Sequence, residues 1–235
     1  MKYLRKFATQ SDYDAYVESG METPNVSLVA ESYTTFFTKK EIEIPLGVFI
    51  QHINGKLYTA DEWTAKGFSN DEANGVAVSA EECAFVIAKT YAAKNSSLSW
   101  GDSKTKINDI VSTEKESVAI LDYDGASNTE KIIKQLSGIT GAPVSEVCAN
   151  YTFPNGKKGY LPAYGEWKLA YDHKSEIVKA MSIIGGTEMS LGNHWSSTQY
   201  FNIYDINCRG WLMSWYDGHS VGNYGNNQIR AFTTL

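Results

Sequence analysis

Apolar and polar positions change rhythm several times along this chain, and each change marks an element. The runs LGVFIQHI (46–53) and KLYTA (56–60) flank Asn54-Gly55. An Asn-Gly pair between two β-forming runs predicts a hairpin. Asp61 then stands where it would cap a short helical turn through Glu62 and Trp63, closed by Gly67. GVAVSA (75–80) and CAFVIAK (83–89) are short apolar runs of the kind that form buried strands. Residues 94–117 are polar and predict loop, and SVAILDYDG (117–125) predicts a strand leading into a turn. SNTEKIIKQL (127–136) is amphipathic at helical spacing, with Ser127 or Asn128 as cap and Ile132, Ile133 and Leu136 as the apolar stripe. APVSEVCANY (142–151) predicts a second helix with Pro143 in its first turn, followed by a turn at FPNGKKG. Trp167, Ala170, Tyr171, Val178 and Met181 then recur as one helical stripe stopped by Gly185-Gly186. HWSST, GWLMSW and QIRAFTTL are the last strands. The class is α+β, with helices packed on short antiparallel strands.

Residues 1–44 follow a different pattern. Ser11 can cap a short helix whose positive end suits Asp12 and Asp14, and Gly20 would end it. NVSLVAES (25–32) and YTTFFTK (33–39) suggest a hairpin. Two strands alone are marginal, so this piece is expected to dock on the main body or on another chain. The boundary falls at Ile42-Glu43-Ile44-Pro45. Residues 1–44 form a docking or anchoring segment and 45–235 the main domain.

The stretch Gly192–Leu235 differs from everything before it. It holds neither lysine nor glutamate, and Tyr, Trp, Asn, Ser and Gly crowd it. Tyr and Trp supply rigid contact area, while Ser, Gly and Asn supply adaptable hydrogen bonds. Binding residues also gather on loops held by a rigid scaffold.

Ordered motifs in this region carry a resemblance. GYLPAYGEW precedes a helix and a double glycine. Trp195-Ser-Ser-Thr-Gln199, Gly210-Trp211, Trp215-Tyr-Asp-Gly218 and Arg230-Ala-Phe232 follow in that order. Together with GKLYTADEW, NGVAVSA, FVIAK and DYDGASNT upstream, this set resembles the C-type-lectin-fold variable proteins. Those are the targets of diversity-generating retroelements in gut Bacteroides and their phages and prophages. The resemblance covers about residues 45–235. It departs at Gly210, where the family has alanine, in the length between Gln199 and Trp211, and in a missing lysine of the last loop.

The resemblance implies a C-type-lectin-like domain with a variable region of about 192–235. There, mutated adenines turn Asn codons of the AAC or AAT type into a limited set of residues that excludes Lys and Glu. The implied ligand-contact positions are Tyr200, Asn202, Tyr204, Asp205, Asn207, Arg209, Leu212, Ser214, Tyr216, His219, Ser220, Asn223, Tyr224, Asn226 and Asn227. Cys208 falls in the same stretch. Trp195, Trp211 and Trp215 are expected in the framework, as are Glu166, Trp167 and Arg230, the last as a buried or edge ion-pair partner. The implied function is recognition of a host or cell-surface protein or glycan. The alternative is a structural virion or surface component whose lectin-like domain mediates assembly.

Other classes find less support. The net charge of −6, with no basic cluster denser than Lys39-Lys40 or Lys157-Lys158, argues against nucleic acid as partner. His52, His173, His194 and His219 show no metal-ligand spacing, and neither a phosphate loop nor a nucleophile elbow occurs. An enzyme, a cofactor and a metal site are therefore not expected. Calcium-lectin signatures are absent as well. Cys83, Cys148 and Cys208 are too few for a disulfide framework, and the first two are expected as buried thiols. MKYLRKFATQSDYD lacks the apolar core of a secretory signal, and no apolar run is long enough to span a bilayer. The chain is expected to be made in the cytoplasm, to insert in no membrane, and to reach the outside by lysis or on a particle. Residues 1–44 would serve virion attachment or homo-oligomerisation.

Overall fold

A computed structural model describes residues 44–102, 104–189, 192–201, 209–218 and 227–235. Contacts divide the chain into Met1–Ile44 and Pro45–Leu235. The helix expected after Ser11 and the hairpin over 25–39 lie outside the described residues.

The second unit is α+β with two largely antiparallel sheets. The first sheet holds β1 (Gly47–His52), β2 (Leu57–Tyr58), β3 (Ala73–Ser79), β4 (Ala84–Ala88) and β9 (Phe232–Thr234), in the order β2-β1-β3-β4-β9. The second runs β5-β8-β6-β7, from β5 (Ala93–Ser96), β6 (Asn193–Tyr200), β7 (Arg209–Ser214) and β8 (Asn227–Ile229). Within it β6 pairs antiparallel with β7 and parallel with β8. The helices are α1 (Ala60–Lys66), α2 (Glu116–Ala119), α3 (Gly125–Leu136), α4 (Pro143–Asn150), α5 (Tyr164–Asp172) and α6 (Lys174–Ile183). No helix among the described residues is long and apolar enough to cross a membrane.

Successive side chains of a strand point to opposite faces, and β3 and β4 use both. Val76, Val78, Phe85 and Ile87 enter one core with Trp63, Trp167, Met181 and Trp215. Ala77, Val86 and Ala88 enter a second core with Trp100, Ile132, Leu136, Trp195 and Leu212. Two-sided burial is why Gly75–Val78 of β3 and Ala84–Ala88 of β4 are apolar throughout rather than alternating.

Local chemistry decided several element boundaries differently from the sequence pattern. The cap of α1 is Thr59: its Oγ1 accepts from the Glu62 amide at 3.2 Å while Glu62 Oε2 accepts from the Thr59 amide at 2.8 Å. This reciprocal box satisfies two otherwise orphaned groups, which Asp61 two residues later does not. Gly67 closes the helix in the left-handed conformation, as expected.

The run 117–125 is not a strand. A short helix and its turn place Ala119 and Asp122 three residues apart on the buried side. Val118 and Leu121 are left 42% and 67% exposed. Helix α3 begins at Gly125, so Asn128 is not its cap but a buried donor to Asp122 Oδ2 at 2.9 Å. The single helical stripe expected from Trp167 to Met181 is carried on two helices that break at His173, whose φ of −101° and ψ of 22° leave the helical range. The break shifts the stripe: Ile177, Ala180 and Met181 are buried, and Val178 faces out. The end does fall at the double glycine. The Gly186 amide bonds Met181 O at 2.8 Å and the Gly185 amide bonds Ser182 O at 3.3 Å, a Schellman closure.

Candidate ligand-contact surface

The WSSTQ segment is a buried polar spine. Trp167 Nε1 donates to Trp195 O at 3.0 Å. Ser196 Oγ donates to Trp211 O at 2.9 Å, and Ser196 O accepts from Trp100 Nε1 at 2.8 Å. The Ser197 amide donates to Pro162 O at 2.8 Å. Thr198 Oγ1 donates to Asp122 at 2.7 Å and accepts from the Tyr164 amide at 2.8 Å. Gln199 Oε1 accepts from the Ile107 amide and from Ser112 Oγ, both at 3.0 Å, while its Nε2 donates to Thr105 O at 2.9 Å. Between Trp195 and Gln199 the pairing with β7 is irregular, and these partners replace the ladder. Each residue thus fastens a different neighbour to β6.

The departure at Gly210 has a steric cause. A Cβ there would lie 2.3 Å from Trp100 Cδ1 and 2.8 Å from Ser196 O. The indole of Trp100 fills the space that a methyl group at position 210 would need. Trp100 escaped notice because it is a lone aromatic in a polar run.

The expected framework residues are buried: Trp195 at 5% exposure, Trp211 at 2%, and Trp167, Trp215 and Arg230 at 0%. Arg230 makes no ion pair among the described residues. Its guanidinium instead donates to Ala88 O at 2.9 Å and Thr187 O at 3.0 Å, and its Cζ lies 4.0 Å from the Tyr91 ring centroid. His194 sits near the same arginine against Tyr91, Trp167 and Trp215. Burial first, and the Arg230 charge second, push its pKa down to about 3, so it is a neutral core histidine. Cys148 is fully buried and Cys83 partly so, and burial pushes the Cys83 thiol up to about 12. Neither is an activated thiol.

Glu166 is a buried acid. Its Oε1 accepts from Tyr160 Oη and its Oε2 from the Ala163 amide, both at 2.7 Å. Burial raises its pKa to about 8 against the lowering by these donors, and the Asp122 and Asp124 carboxylates raise it further. A carboxyl raised in the folded state stays protonated there while the unfolded chain has already ionised. Stability should therefore fall as pH rises from about 4.5 to about 8. Glu166→Gln keeps a donor and an acceptor in the same place. It should flatten this slope in urea midpoints taken at pH 5 and pH 8; an unchanged slope would exclude Glu166 as its source.

The predicted contact residues fall into groups. Tyr200 and Arg209 face each other across β6 and β7, both half-buried. Tyr200 stacks edge-on to Trp211, with centroids 5.4 Å apart. The Phe201 amide bonds Thr113 O at 3.4 Å, and Lys106 Nζ lies 5.2 Å from the Phe201 ring, so the 104–115 segment flanks this end. Ser214 pairs with Asn193 at the other end of the ribbon, where Tyr216 follows. The His194–Gln228 pairing with parallel β8 brings Asn227 to that same end. Seven residue steps along β6, from Asn193 to Tyr200, separate the two ends, roughly 23 Å at strand rise.

Three of the predicted residues are buried. Leu212 is at 0% because β7 has no solvent face: Trp211 and Met213 enter one core and Leu212 the other. It belongs to the framework. Ser214 and Asn227 are 7% and 5% exposed; Ser214 caps the following turn, and Asn227 pairs with Ser96. Tyr216 is 71% exposed. Asn202, Tyr204, Asp205, Asn207, Cys208, His219, Ser220, Asn223, Tyr224 and Asn226 lie outside the described residues.

Compared with known proteins, the chain matches no family model, no curated protein and no solved structure. Among the described residues, no group of three or more His, Cys, Asp or Glu side chains is placed to hold a metal ion.

Proposed function

We propose that the chain is a ligand-binding protein built on a C-type-lectin-like scaffold with a sequence-variable surface. It would be of the diversity-generating-retroelement target type and belong to a Bacteroides-like phage or prophage. Its ligand is a protein or glycan on a host or cell surface, and its work is recognition without chemistry. The observation that carries this reading is the division of the last 44 residues. The motif residues, from Trp195 to Gln199 and from Ile229 to Phe232, are buried and bonded to other parts of the domain. The polar and aromatic residues between them include Tyr216, turned to solvent beside a fully buried Trp215. Loop positions carried on a rigid scaffold are the ones that can change while the fold stays.

The test is natural variation at the gene. Sequenced copies from independent isolates should differ mainly at positions such as 200, 202, 204, 209, 216 and 223–226, and spare 195–199, 211, 213 and 229–232. A nearby template repeat and reverse transcriptase should accompany them. Differences spread evenly over the domain would overturn the reading.

A further inference from the structure

The turn after β7 separates what is held from what is shown. Lys174 Nζ donates to Trp215 O, and Tyr171 Oη donates to Tyr216 O at 3.3 Å. The Tyr216 and Asp217 amides both reach Ser214 Oγ at 3.4 Å, and the Gly218 amide bonds Ser214 O at 2.9 Å. Gly218, at φ +86°, lies so close to Tyr171 that a Cβ would stand 2.6 Å from its ring. The Tyr171 ring stands edge-on to Trp215 at 5.9 Å, and Lys174 Nζ lies 5.3 Å from the Tyr171 centroid and 5.8 Å from that of Trp215. Each of these hydrogen bonds engages residue 216 or its neighbours through the backbone.

We propose that position 216 is a sequence-tolerant display position on a fixed pedestal, and that Tyr171 and Lys174, at the elbow of α5 and α6, are its positioning residues. The elbow grips carbonyl groups, which every amino acid carries, so the side chain at 216 can be exchanged without loosening the turn. A backbone ordered in advance spares the ligand the cost of ordering it. That the displayed side chain meets a ligand rests on the function proposed above; the pedestal does not.

The experiment is amide hydrogen exchange on the full chain, without ligand. Tyr216→Ala, Tyr216→Asn and Tyr216→Asp should leave exchange at residues 216–218 within about twofold and the melting temperature within about 2 °C. Tyr171→Phe, which removes only the hydroxyl, and Lys174→Met should each speed exchange at 216–218 by about tenfold. The amides of Val76–Val78 should stay unchanged; a general loss of stability would move both sets together. Unchanged exchange at 216–218 in both pedestal variants would overturn the proposal, as would loosening of the turn by the substitutions at 216. Natural variation that spares position 216 while these exchange results hold would leave the pedestal standing and sink the binding reading instead.

Discussion

Gln199→Ala should lower stability by about 3 kcal/mol, because it orphans three polar groups at once. The Ile107 amide is buried, and it loses its acceptor together with the Ser112 hydroxyl, while Thr105 O loses its donor. The main-chain bonds of Gln199 to Val111 O and from the Thr113 amide survive the change. The damage should therefore be local: faster amide exchange over 105–112, with the β3 and β4 amides speeded only by the overall loss. Gln199→Glu separates the contributions. It keeps both bonds at Oε1 but turns an oxygen towards Thr105 O. It should cost stability at neutral pH and recover part of it on acidification, when the carboxyl can donate. A loss below about 1 kcal/mol for the alanine variant would mean that the backbone bonds alone hold the 104–113 segment.

This motif shows how much the chain reveals in advance. The tryptophans of the tail read correctly as framework, since large aromatics are seldom left outside a core. The strands β3 and β4 were legible because burial on both faces leaves Gly75–Val78 and Ala84–Ala88 without a polar residue. What the pattern missed turns on contacts distant in sequence. Trp100 gains its meaning only against Gly210, and Asp122 only against Asn128 and Thr198. The stretch 117–125 has the composition of a strand, but a carboxylate that must be buried with its donors bent it into a helical turn.

Leu212 and Ser214 misled in the same way. The resemblance implied both as contacts, and the second core beneath Leu212 leaves that face of β7 without solvent. The separation of the two candidate ends was likewise hidden. It follows from the register of β6 with β7, and Asn227 joins the Ser214 end through the parallel pairing of β8 with β6, a long-range choice that local pattern does not encode.

Arg230 offers the other large effect, and the choice of substitution matters more than its removal. The guanidinium spans two carbonyls from different elements, Ala88 O of β4 and Thr187 O after α6, with its plane beside Tyr91. Burial pulls its pKa below the usual arginine value, while Tyr91 acts against that. A planar fork of weakly hydrated donors suits such a place, and a compact ammonium does not. Arg230→Met fills much of the volume and removes the buried charge. It leaves both carbonyls short of a donor, for a loss of about 2–3 kcal/mol. Arg230→Lys keeps the charge but sets one compact ammonium where two guanidinium nitrogens meet two carbonyls, and it gives up the stacking, so it should be no better than methionine and cost about 3–5 kcal/mol. Urea midpoints of the three proteins decide it. If lysine restores wild-type stability, charge alone is what the site requires. If methionine does, the two carbonyls find other donors. Either result would displace the fork from its place as the tie between the first sheet and the segment that leads into β6.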